Sequence, residues 1–212
     1  MLRIRIDPDR PDAAEIEVAA RALGGGGIVA FPTETFYGLA VDPRSASAVE
    51  ALFSVKGRPA GQSIPLIAAD LEQVLACTGP LERLAMRLAV ALWPGPLTMV
   101  TSVWSGLSPS LLGGGSTVAV RVPGLAAARA LAKAFGHPVT STSANPSGRP
   151  ATTEGDAVAA ALGNRLDVLL DGGSTRGGLP STIVDVTGGQ PRLVRAGAVA
   201  WERVLECLRT GP

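Results

Sequence analysis

Short aliphatic, β-branched runs alternate along this chain with stretches of helical spacing, and that alternation restricts its fold more than any other feature. Residues 28–31, 97–103, 118–122, 168–170 and 181–186 have the length and composition of buried strands. Residues 12–23, 47–55, 81–92, 125–135, 156–162 and 199–208 carry apolar side chains at helical spacing. Residues 2–6 alternate like an edge strand, 63–67 read as a further strand, and 192–195 should return on 181–186 as a hairpin around Gly188-Gly189. The pattern predicts one mixed α/β domain over residues 1–212. Helix starts are expected at Ser47 and Asp70, and Gly24–Gly27 should stop the first helix.

Composition narrows the function. With 46% apolar and 17% charged residues the 212-residue chain is globular, and its net charge of +1 supplies no bulk attraction to nucleic acid. No apolar run reaches the ~18 residues of a membrane span, and residues 1–6 do not resemble a signal peptide, so a cytoplasmic location is expected. Cys77 and Cys207 lie in apolar helical patterns and read as buried thiols. His137 is the sole histidine, which leaves a Ser-His-Asp machine or a catalytic zinc without support and no protein metal site expected. The glycine runs at 24–27 and 113–115 are not nucleotide loops: a helix precedes the first and no Lys-Ser/Thr ends the second.

What remains is a recurrent polar strand exit. Residues 139–150, VTSTSANPSGRP, follow an apolar helix and read as a strand running into a loop. In extended chain Ser141, Ser143 and Asn145 would share one side, and Ser147-Gly148 would turn close to a ligand. Taken alone, a hydroxyl-rich loop capping the next helix fits equally well. The same spacing recurs in Pro32-Thr33-Glu34-Thr35-Phe36-Tyr37-Gly38 directly after a buried strand, where Glu34 could be a surface charge. Of 19 basic residues only Lys56 and Lys133 are lysines. Lys133 reads as a solvated surface charge. Lys56-Gly57-Arg58-Pro59 could project two cations to one side, because Pro59 biases Arg58 toward extended backbone, and such a pair usually shares an anion; the alternative is a solvated helix end whose cations complement the dipole. Thr117, Ala119 and Arg121 share one face of a strand, and an arginine among valines is a poor core residue unless it has a partner. Hydroxyls, an amide, one lysine and several arginines suit anion binding and charge stabilisation, hence phosphoryl or nucleotidyl chemistry.

These residues resemble the YrdC-like family of threonylcarbamoyl-adenylate synthases. Residues 32–39 look like its first motif, Lys56-Gly57-Arg58 like its Lys-x-Arg, and Ser143-Ala144-Asn145 like its Ser-x-Asn. The segments at 94–98, 118–123, 181–185 and 195–197 fit in order, so the resemblance covers roughly residues 12–208. It implies an open, twisted mixed α/β sheet with flanking helices and a concave cationic cleft. It also implies synthesis of threonylcarbamoyl-AMP and pyrophosphate from L-threonine, bicarbonate and ATP, with Mg²⁺ on the triphosphate. A downstream threonylcarbamoyl transferase would then modify adenosine 37 of tRNA; direct tRNA contact is left open, and no membrane partner is implied. By motif, Lys56, Arg58, Thr117, Ser143, Asn145 and Arg195 should serve ATP, with Lys56 and Arg58 offsetting phosphate charge during catalysis. Thr35, Arg121, Ser141 and Ser181 should hold threonine, with Thr33 close by. Many relatives carry a histidine where this chain has Ala69. The competing readings are a non-catalytic RNA-binding module using the same cleft, against which the near-neutral charge and the scarcity of aromatics count, and an amidohydrolase or carbamoyl-transferring relative that binds nucleotides for another acceptor.

Overall fold

The computed structural model describes residues 1–57, 61–103 and 106–210. In chain order the strands are β1 (Leu2–Arg5), β2 (Val29–Phe31), β3 (Gly38–Ala40), β4 (Leu66–Ile67), β5 (Leu97–Ser102), β6 (Thr117–Arg121), β7 (Val139–Thr140), β8 (Thr142–Ser143), β9 (Val168–Asp171), β10 (Thr182–Asp185) and β11 (Arg192–Arg195). Around them lie helices α1 (Ala13–Gly24), α2 (Ala46–Lys56), α3 (Leu71–Thr78), α4 (Arg83–Leu92), α5 (Pro109–Leu112), α6 (Ala126–Phe135), α7 (Gly155–Leu162) and α8 (Trp201–Thr210).

The strands form two open sheets rather than one. The first runs β1-β9-β2-β3-β8 and the second β11-β10-β5-β6-β4-β7. Both are mixed: β1, β9 and β2 are mutually parallel, whereas β3 is antiparallel to β2 and β8. In the second sheet β10 is parallel to β5 and β4 to β6, while β5 and β6 run antiparallel. The near-continuous apolar runs are explained by burial on both faces. In β2, Ala30 enters a core shared with α2 and β6, while Val29 and Phe31 enter a core built on α1 and α6. A third core packs α4 and α8 against Leu97, Met99 and Val184. Cys77 and Cys207 are free, buried thiols, and His137 and Lys133 are exposed.

Three expected boundaries move. The serine that caps α2 is Ser45, whose side chain accepts from Ala48 N–H, not Ser47. Only residues 66–67 of the expected 63–67 strand are extended in a sheet. Most consequentially, residues 139–145 do not form one strand. β7 pairs with β4 in the second sheet and β8 with β3 in the first, so the chain crosses between sheets at Ser141. Ser141 N–H donates to Pro65 carbonyl at 2.8 Å, which fixes the crossing point.

The loop after β9 is tied down by a buried polar cluster. Tyr37 Oη donates to Gly173 carbonyl (2.7 Å) and accepts from Gly172 N–H (3.1 Å). Burial and the neighbouring Asp171 charge push its phenol well above the ordinary value. Burial alone would push the Asp171 carboxyl up, but the Gly173 N–H and the Arg3 guanidinium, 2.7 Å away, hold it below the ordinary carboxylate range. With the folded value below the unfolded one, Asp171 contributes stability above about pH 4 that is lost as pH falls through its folded value. Arg3→Gln removes one of those supports, so acid unfolding followed by circular dichroism should begin at higher pH than in the wild type; an unmoved midpoint contradicts this.

Candidate functional site

The connection between β2 and β3 is a tight, internally bonded turn. Thr33 Oγ1 donates to Phe36 carbonyl (2.7 Å) and accepts from Thr35 N–H (3.2 Å). A hydroxyl has one proton, so in the 3.1 Å contact between Thr33 and Thr35 the donor is Thr35. Thr33 therefore shapes the turn and orients Thr35. Thr35 carbonyl in turn accepts from Thr175 Oγ1 (2.8 Å) and Gly177 N–H (2.9 Å), docking the 172–180 loop beside it.

Between the two threonines sits Glu34, which is no surface charge. Its Oε1 accepts from Arg121 Nη1 at 2.6 Å, and the two side chains are 13% and 8% exposed. This is the partner that an arginine at the end of β6 required. Burial pushes the Arg121 guanidinium down and the Glu34 charge opposes that. Opposite stands Arg195, at the end of β11. Its Nη2 donates to Ser181 carbonyl (2.8 Å) and Oγ (3.1 Å), while Thr98 Oγ1 donates to Ser181 Oγ at 2.9 Å. Desolvation and then the positive charge of Arg121 push the guanidinium of Arg195, an exposed residue, below its ordinary value.

The backbone at residue 197 makes this approach tight. A Cβ there would overlap Pro180 carbonyl oxygen and lie 2.6 Å from Ser181 C and Thr182 N. Gly197→Ala should therefore push β11 off Ser181, costing about 1–3 kcal/mol and lowering the melting temperature by roughly 2–12 °C. A wild-type melt for this variant would contradict the packing described.

The second cluster is built on Lys56, the last residue of α2, with Gly57 closing the helix in the left-handed region (φ 60°). Lys56 is 5% exposed, and its Nζ donates to Ser143 carbonyl (2.5 Å), Asn145 carbonyl (2.8 Å) and Asn145 Oδ1 (3.4 Å). Ser147 N–H returns to Lys56 carbonyl (2.7 Å), and Asn145 Nδ2 donates to Arg149 carbonyl. The ammonium thus holds the exit of β8 in place while bringing its charge there.

The structure joins Lys56, Ser143 and Asn145 in one contact group, and Ser181 and Arg195 in another. Thr33 and Thr35 form a third, with Glu34 linking them to Arg121. Ser141 lies over the β2–β3 turn, its Oγ 3.4 Å from where a Gly38 Cβ would stand. Thr117 is at the far end of β6 from Arg121, opposite Ser102, and joins none of these groups directly. Arg58 lies outside the described residues. Ala69 is a buried core residue whose N–H is held by Gln73 Oε1 at 2.9 Å. Sequence reasoning missed Glu34, Thr98 and Arg176. Arg176 borders a cavity of about 430 Å³ together with Thr33, Glu34, Thr35 and Gly95, a volume suited to a small polar ligand. Among the described residues no group of three or more His, Cys, Asp or Glu could hold a metal ion.

An open mixed α/β scaffold with hydroxyls and cations at its strand exits defines a class, and the sequence fixes which one. The chain belongs to the Sua5/YciO/YrdC family, whose model, described as "Telomere recombination", matches residues 21–197. It is 36% identical over 196 residues to the threonylcarbamoyl-AMP synthase of Pyrococcus abyssi, covering 92% of this chain and 58% of that protein. It is 37% identical over 191 residues to the Bacillus subtilis protein of the same name, covering 90% and 55%. The crystal structure of P. abyssi Sua5 complexed with L-threonine superposes with a TM-score of 0.93 at 34% identity, over 99% of this chain and 61% of that one. The chain thus spans a little over half the length of these relatives.

Proposed function

We propose that this chain is an L-threonylcarbamoyladenylate synthase, converting L-threonine, bicarbonate and ATP to threonylcarbamoyl-AMP and pyrophosphate. What supports the reading is the buried Arg121–Glu34 pair next to Thr35, the Arg195–Ser181 contact, and a fold shared with a relative that has been crystallised with L-threonine. Threonine carboxylate fits Arg121, with Thr35, Ser141 and Ser181 as hydroxyl partners and Thr33 fixing the turn. Lys56, Asn145, Ser143 and Arg195 would serve the nucleotide, with Arg58 and Thr117 assigned by motif.

The threonine ammonium and bicarbonate give a carbamate, one water and one proton. A carbamate oxygen then attacks the α-phosphorus, a new P–O bond forms, the bond to the β-phosphate bridge breaks, and pyrophosphate leaves. Catalysis of this kind needs position and charge more than a protein nucleophile. Lys56, Arg58 and Arg195 would offset the negative charge that builds on the phosphates. Mg²⁺ would come with the nucleotide and would lower the charge of the triphosphate; among the described residues no cluster of three or more His, Cys, Asp or Glu would cage it. The product would be consumed by a transferase that acts on tRNA. An RNA-binding role without catalysis is not favoured, since the chain has a net charge of +1 and 4% aromatic residues. No helix among the described residues is long and apolar enough to cross a membrane.

Pyrophosphate release tests the assignment. It should require threonine, bicarbonate and ATP together, and release that persists without threonine would overturn the reading.

A further inference from the structure

We propose that Glu34 is the acceptor for the α-ammonium group of the amino-acid substrate, so that Glu34 and Arg121 together read the zwitterion. This rests on the proposed threonine site and assigns the part of the ligand that site leaves without a partner.

The Glu34 carboxylate uses one oxygen on Arg121 Nη1, at 2.6 Å. Among the described residues its other oxygen, Oε2, is out of contact with solvent and has no hydrogen-bond partner. An unsatisfied buried carboxylate oxygen is costly, and such a group is met by a water or an ion, by strain, or by a ligand that function brings. Glu34 also borders the cavity it shares with Thr33 and Thr35.

Charge selects the occupant. A bare carboxylate ligand approaching Arg121 would meet the Glu34 carboxylate and be repelled. An α-amino acid carries a cation one carbon from its carboxylate, so it answers the buried pair with the opposite two charges and adds no net charge. Nor can Glu34 serve as part of a metal cage, since no cluster of three ligating side chains exists among the described residues. An ammonium needs only one such oxygen, and a charge-assisted hydrogen bond to it is among the stronger contacts a side chain can make.

The test is a cycle between ligand and protein. L-Threonine and (R)-3-hydroxybutanoate, which lacks only the amino group, are titrated into wild type and Glu34→Gln by calorimetry. In the wild type threonine should bind about 10- to 100-fold tighter, and in Glu34→Gln that gap should nearly close. A gap that persists in Glu34→Gln overturns the proposal, whatever happens to the absolute affinities, because the amine would then be read elsewhere. Should Glu34→Gln fail to fold, Glu34→Asp keeps a negative charge beside Arg121 while withdrawing it by one methylene. The gap must then narrow, and an undiminished gap overturns the proposal equally. Wild type that binds no threonine would instead overturn the functional reading beneath it.

Discussion

Arg121→Met is expected to unfold at a markedly lower temperature than wild type and to lose the proposed threonine binding. The reason lies in what the substitution leaves behind. Glu34 is 13% exposed, and without Arg121 its carboxylate stays buried with no counter-charge. Breaking a buried pair in this way costs about 3–5 kcal/mol, which for a chain of this size lowers the melting temperature by roughly 6–20 °C. The double variant Glu34→Leu/Arg121→Met should recover most of that stability, because two apolar side chains replace two desolvated charges, yet it should bind no threonine. Thermal melts with threonine titrations read both outcomes. An Arg121→Met melt within about 2 °C of wild type would show that the pair is not the buried linkage described.

Lys56→Met should have the second largest effect, on both stability and the proposed turnover. The Lys56 ammonium donates to two backbone carbonyls at the exit of β8, at 2.5 and 2.8 Å. Losing bonds of this charged kind costs about 1.5–3 kcal/mol each, so a fall of about 3 kcal/mol or more is expected. Because those carbonyls flank Ser143 and Asn145, the same change should disorganise the proposed nucleotide contacts and lower pyrophosphate release at least about 100-fold. Lys56→Arg should not restore it, since a planar guanidinium cannot replace a compact ammonium among converging carbonyls. Full activity in Lys56→Met would remove Lys56 from the mechanism.

How much of this could be read from the residues depends on how local each feature is. The shared face of Thr117, Ala119 and Arg121 was legible because strand alternation is a backbone property, and Val118 and Val120 do enter the core on the other side. The need of Arg121 for a partner was legible too, from the cost of burying a lone charge. That the partner is Glu34 was not, because 87 residues separate them and only the packing of β6 beside the β2–β3 turn brings them together. The break at Ser141 was equally hidden. Alternation continues through residues 139–145, and nothing local says that the first half pairs with β4 and the second with β3. Lys56 was singled out correctly as unlike a surface lysine, but its acceptors are main-chain oxygens, which no side-chain motif records. Sheet assignment and long-range pairing, rather than element type, are where the sequence fell silent.

Four separate chain segments would meet at one ligand pair in the proposed site, and amide hydrogen exchange measures that directly. With ATP and L-threonine both present, exchange should slow together in residues 33–38, 139–147, 181–184 and 192–197. Slowing confined to one of these segments, or appearing instead around Arg3 and Asp171, would contradict a shared site.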